Sequence, residues 1–165
     1  MGLPLKDRRA FFKKSRKRLC MVGSLVGFGA ACALIKNELE ARATVTCQLR
    51  DGLNIGLQNL GATVFGDKAA RLANTSFFAF NEIEGETLVM ALDRKGFAVA
   101  SGSACSSDST EPSHVLMAMG VSPDLARGAV RVSFGANNTS DELNRFLAAL
   151  QSEVQRLRQL TAVAV

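Results

Sequence analysis

Residues 74–100 read NTSFFAFNEIEGETLVMALDRKGFAVA, and this stretch sets the architecture. Thr75 to Phe80 has the Thr and Phe content of a strand. Glu86 to Arg94 follows with Leu88, Val89 and Leu92 on one helical face, and Gly96 stands where a helix C-cap needs left-handed backbone. Phe97 to Ala100 is then a second short strand, so the unit is strand, helix, strand. On its C-terminal side, Ser101 to Thr110 holds small polar residues and is expected to be a mobile loop. Pro112 fits the first turn of a helix whose inward face is Val115, Leu116 and Met119, ending at Gly120. Ala129 to Phe134 reads as a strand. Thr139 to Glu142 has the form of a capping box, opening a helix with the stripe Leu143, Phe146, Leu147, Leu150, Val154 and Leu157.

On the N-terminal side, the Gly- and Asn-rich stretch from Arg50 to Gly66 reads as loops with at most one short strand. Before it, Leu25, Phe28, Cys32, Ile35 and Leu39 keep helical spacing, which predicts an amphipathic helix of about five turns. The apolar run from Met21 to Ile35 follows a basic segment and imitates a secretory leader or organelle presequence. It is shorter than a membrane crossing requires and contains three glycines, so no membrane partner is expected. Strands and helices do not alternate strictly, so the expected fold is α+β, with helices packed on a small mixed or antiparallel sheet.

The chain has 165 residues, 47% of them hydrophobic, which suits one globular domain. Its net charge of +5 is unevenly placed: residues 1–20 hold eight Lys/Arg against Asp7, a net of +7, and residues 21–165 sum to −2. The basic balance therefore belongs to an arm, and no nucleic-acid partner is expected. Cys20, Cys32, Cys47 and Cys105 form no C-x-x-C pair and His114 is the only histidine, so no metal site is expected. Four cysteines also fall short of a disulfide scaffold, and a reducing, cytoplasmic setting is the default, with organelle targeting by the basic arm as the alternative.

Cys105 stands in Ser101-Gly102-Ser103-Ala104-Cys105-Ser106-Ser107, without the apolar neighbours of a structural cysteine. It is either a reactive thiol or an incidental loop residue. The loop itself holds no Lys, Arg or His, so an activating group has to come from elsewhere. His114 has the position of a packing residue and receives no catalytic role. Asn74-Thr75-Ser76 and Asn137-Asn138-Thr139 match glycosylation tripeptides but read as turn and cap chemistry.

Taken in order, Asn74-Thr75-Ser76, Glu84-Gly85-Glu86, Ala91-Leu92-Asp93, Ser101 to Ser106, Glu111 to Leu116, Arg131 to Gly135 and Asn138-Thr139 resemble the C-terminal part of pyridoxal-phosphate-dependent cysteine desulfurases of the aminotransferase class V family. The G-S-A-C form is similar to the nitrogen-fixation and iron-sulfur-assembly branch, and Val26 to Ala31 matches the helix joining that family's two domains. The resemblance implies the small C-terminal domain of a fold-type I enzyme. In the family, sulfur leaves L-cysteine, alanine remains, and a loop cysteine holds the sulfur as a persulfide for an acceptor protein; Cys105 is the matching residue. Arg131 matches the arginine that grips the substrate carboxylate through a bidentate fork. Without the resemblance it reads as a strand-end surface charge.

The resemblance also implies a cofactor lysine, an aspartate at the pyridine nitrogen and a histidine on the ring, and none has a matching position here. Lys36, Lys68 and Lys95 lie outside any such motif, so no cofactor-binding residue is carried over. The family's Arg-x-Gly-Thr segment is likewise replaced by Ser15 to Cys20. Residues 1–20 are therefore read as a basic arm foreign to the family, from a frame-shifted gene or a split enzyme, 21–45 as a linker helix and 46–165 as a small α+β domain with the cysteine loop at 101–110. The expectation is a desulfurase segment that is inactive alone, working as a homodimer or with a separate large-domain partner. The alternatives are a remnant, a persulfide relay, or a segment of a selenocysteine lyase.

Overall fold

The computed structural model describes residues 5–102 and 112–163, with side chains from 21 to 102 and from 112 to 160. The elements are α1 Leu5–Asn59, β1 Thr63–Val64, β2 Thr75–Ala79, α2 Gly85–Asp93, β3 Ala100–Ser101, α3 His114–Ala118, α4 Pro123–Arg127, β4 Val130–Ser133 and α5 Ser140–Val163. They form two compact units, Met1–Arg42 and Ala43–Val165. The first is the N-terminal part of α1. Every residue from 21 to 37 in it is exposed.

The second unit is α+β. Its sheet has the order β1-β2-β4-β3, and every pairing is antiparallel. Phe78 lies opposite Val130 and Ser76 opposite Val132, which puts these four on one face. There they join Leu49, Leu53 and Leu57 of α1, Leu88 and Leu92 of α2, and Phe146, Leu150 and Val154 of α5. A smaller cluster of Ala79, Ala129, Leu116, Ala126 and Phe65 gathers α3 and α4.

The largest departure from the sequence pattern lies at residues 50–59, which are helical. Leu49, Leu53 and Leu57 recur every fourth residue and are buried, so the apolar face of α1 continues through the stretch expected to be loop. The glycines that imitate a loop let two helices approach. A Cβ on Gly52 would stand 3.1 Å from Leu143 Cδ2, and one on Gly56 would stand 2.6 Å from Leu147 Cδ2. Asn54 is a buried acceptor, receiving the Ser76 hydroxyl at 2.6 Å. The helix is thus far longer than the five turns or the span 21–45 read from the sequence. Instead of one buried stripe, it exposes Leu25, Phe28, Ile35 and Leu39.

Three smaller differences follow from packing. The strand expected at Phe97 to Ala100 pairs only at Ala100–Ser101. Pro112 precedes α3, whose N-cap is Ser113, and only Leu116 of the expected inward face is buried; Val115 and Met119 are exposed. The helix α4, opened by Pro123, carries Ala126 to the smaller cluster. The caps agree with the sequence. Gly96 adopts φ +84, and the Thr139 hydroxyl accepts from the Glu142 N–H at 3.3 Å while Glu142 accepts from the Thr139 N–H at 3.0 Å.

Candidate functional site

Arg131 sits mid-strand in β4 between buried Val130 and Val132 and is itself exposed. Strand alternation alone explains this: with its neighbours committed to the main core, its side chain belongs to the other face of the sheet. Its cross-strand partners are Phe77 in β2 and Ala100 in β3, so the three form one rung. Along the same face, Ser133 and Thr75 meet with their hydroxyl oxygens 3.2 Å apart. The other described arginines in ion pairs are Arg42, Arg50, Arg127 and Arg156; among the described residues no carboxylate forms one with Arg131.

The chain leaves this rung at Gly102. The Gly102 N–H donates to the Ala129 carbonyl at 2.7 Å. A Cβ at Gly102 would come within 2.8 Å of Ala129 Cβ and 3.2 Å of Phe77 Cζ, so no larger residue fits without displacement. Phe77 is in turn braced edge-on by Phe65, with centroids 5.4 Å apart. Beyond residues 103–111 the chain returns at Pro112, and Leu116 of α3 is buried beside Ala129. The segment thus starts at a glycine fixed on Ala129 and is followed by a helix whose Leu116 packs in the same cluster as Ala129. Cys105 and most of the expected loop at 101–110 lie outside the described residues. His114 begins α3 and is exposed.

The wedge of Gly102 between Ala129 and Phe77 was not legible as such in the sequence, although a glycine before the small-residue run was its one signal. A second polar cluster also escaped notice. Arg50 donates to the Leu72 carbonyl at 2.9 Å, to Asp51 at 2.7 Å and to Cys47 Sγ at 3.0 Å. The Arg50 hydrogen bond, helped by the charges of Arg50 and Arg71, holds the Asp51 carboxyl below its usual range. An open groove of about 430 Å³ lies between residues 95–99, Val132–Phe134 and the first turns of α5; neither Arg131 nor Gly102 lines it.

The aminotransferase class-V family profile matches residues 18–146, and the chain belongs to that family. It is 40% identical over 142 residues to a cysteine desulfurase of Gluconacetobacter diazotrophicus, covering 85% of this chain and 36% of that protein. It is 39% identical over 159 residues to cysteine desulfurase IscS of Methanosarcina thermophila, covering 96% of this chain and 39% of the relative. Among solved structures, a NifS-like protein superposes with a TM-score of 0.63 at 34% identity, over 72% of this chain and 30% of that one. A NifS-like protein from Rickettsia africae gives 0.67 at 25% identity, over 76% and 32%. The chain thus spans less than two fifths of the length of the relatives quoted.

Class-V aminotransferase relatives use pyridoxal phosphate, which requires a lysine imine and an anion cradle. Among residues with described side chains the lysines are Lys36, Lys68 and Lys95, all exposed, and Lys95 pairs with Glu153 at 3.6 Å. None is held in the desolvated pocket that makes an amine reactive near neutral pH. The described residues do not fit the cofactor.

Proposed function

We propose that this chain is the sulfur-accepting segment of a cysteine desulfurase, with Cys105 as the acceptor thiol and Arg131 as the anchor for the carboxylate of L-cysteine. The supporting observation is the rung Phe77–Arg131–Ala100, with Gly102 clamped beside it on Ala129. Cys105 is three residues beyond Gly102 in the sequence, so it belongs to the segment that starts at that clamp. In this reading the Arg131 fork holds the substrate carboxylate and the thiol of that segment takes the sulfur.

The exchange balances without an outside oxidant. The Cys105 sulfur attacks the substrate sulfur, an S–S bond forms, the C–S bond breaks, and its electron pair takes up a proton as alanine leaves. Cys105 is left as a persulfide for an acceptor protein serving iron-sulfur cluster or related sulfur assembly. The electron sink for C–S cleavage would be pyridoxal phosphate, held by residues other than those described here. Residues 46–165 are the domain that carries the thiol, 21–45 the linker, a stretch of the longer helix α1, and 1–20 the basic arm; the working form is a homodimer or a complex with the cofactor-binding domain, in the cytoplasm.

The test is a chimera in which this segment replaces the matching part of the Methanosarcina thermophila relative, assayed for alanine released from L-cysteine. Turnover is expected, abolished by Cys105→Ala. Arg131→Ala is expected to raise KM far more than it changes kcat, with partial recovery in Arg131→Lys. A folded chimera that turns over equally well without Cys105, or not at all with it, overturns the proposal.

A further inference from the structure

We propose, on the reading of Arg131 given above, that the Ser133 hydroxyl, backed by Thr75 and Asn74, is a second donor to the substrate carboxylate that Arg131 anchors. The sheet face that carries Arg131 is divided. At one end Ala79 and Ala129 are fully buried in a cluster with Leu116 of α3 and Ala126 of α4. At the other end Arg131 and Ser133 are exposed and Thr75 is half-buried. Ser133 follows Arg131 by two residues, which in a strand sets the two side chains on one face about 7 Å apart. With the Ala129 end covered, a carboxylate on the Arg131 fork has its room on the Ser133 side.

A chain of hydrogen bonds holds Ser133 for this task. The Asn74 side-chain N–H donates to the Phe134 carbonyl at 3.2 Å, and the Phe134 N–H donates to the Asn74 carbonyl at 2.8 Å, so Asn74 is fixed between β2 and the end of β4. Thr75 has one hydroxyl proton and gives it to Asn74 Oδ1 at 3.2 Å. In its 3.2 Å contact with Ser133 it therefore accepts, and Ser133 is the donor. An ionised carboxylate is a stronger acceptor than a neutral hydroxyl, so one held on Arg131 draws the Ser133 proton away from Thr75. That needs only a turn of the O–H bond. The Thr75 proton then has Ser133 Oγ as a second acceptor at the same distance, which polarises the Ser133 hydroxyl toward the substrate. Ser133 would touch the substrate, and Thr75 is a positioning residue behind it.

The test uses the chimera described above, with L-cysteine as substrate and alanine release as the readout. Ser133→Ala is expected to raise KM about tenfold, the loss of one hydrogen bond to a charged group, with kcat and the thermal unfolding midpoint nearly unchanged. Ser133→Thr, which keeps the hydroxyl, should recover most of the loss. Thr75→Val keeps the shape but removes the hydroxyl, and should raise KM by a smaller factor, about threefold. In an Arg131→Ala background Ser133→Ala should add less than about twofold, because both residues hold the same carboxylate. The second donor is overturned by an unchanged KM in Ser133→Ala beside a raised one in Arg131→Ala, by Ser133→Thr no better than Ser133→Ala, or by a full effect of Ser133→Ala without Arg131. A KM that neither Arg131→Ala nor Ser133→Ala moves overturns the reading of Arg131 itself, and this inference with it.

Discussion

Gly102→Ala tests whether the root of the Cys105 segment is clamped as described. The added methyl would sit 2.8 Å from Ala129 Cβ, about 0.7 Å inside the ~3.5 Å at which carbon atoms rest, and 3.2 Å from Phe77 Cζ. Ala129 is fully buried and Phe77 is braced by Phe65, so neither neighbour yields freely. Overpacking of this kind costs about 1–3 kcal/mol. Ala129→Gly alone removes one buried methyl and loosens the backbone, for about 1 kcal/mol. Combined, the two substitutions should cost less than their sum by at least about 0.5 kcal/mol, because the second removes the atom that the first strikes. Urea unfolding of all four chains, followed by far-UV circular dichroism, measures the cycle. Strict additivity, or a Gly102→Ala chain as stable as the parent, refutes the clamp.

Leu53→Ala should destabilise the second unit by about 2–5 kcal/mol in the same assay, since Leu53 is fully buried on the helical continuation of α1; a loop residue would lose almost nothing. Among the described residues Glu82 is the one non-glycine with positive φ, at +64, and Glu82→Gly should stabilise by about 1 kcal/mol in thermal melts. Glu153 is held below its usual range, first by the hydrogen bond from Arg156 and then by the charges of Arg156 and Lys95. Its stabilisation is present above the unfolded carboxyl pKa near 4.5 and is lost as pH falls through the lower folded value, so acid unfolding of Glu153→Gln should depend less on pH in that window. The 165-residue polypeptide, given pyridoxal phosphate and L-cysteine, should release no alanine, because no described lysine fits the cofactor.

Much of the fold was legible because local signals and burial agree. Gly96, the Thr139–Glu142 box and the stripe from Leu143 to Leu157 behave in the structure as their residue types dictate. The misreading at 50–59 has a tertiary cause: Gly52, Asn54 and Gly56 carry loop character locally, and only the approach of α5 and the Ser76 hydroxyl show why a helix keeps them. Val115 and Met119 show the opposite failure, apolar residues at helical spacing that stay exposed. For the site, the alternation Val130-Arg131-Val132 already assigns Arg131 to the face away from the main core. The strand register that sets Ala100 beside it is a long-range fact that no local pattern contains.

The fit of Gly52 and Gly56 against Leu143 and Leu147 joins pieces of chain about ninety residues apart. A ribosome translating this message therefore releases the first half of the clasp long before the second exists. Until α5 emerges, Leu49, Leu53 and Leu57 lack part of their cover, so the nascent polypeptide carries exposed apolar surface in the meantime. A product ending just upstream of Leu143 would lack the half of the clasp that Leu143 and Leu147 supply.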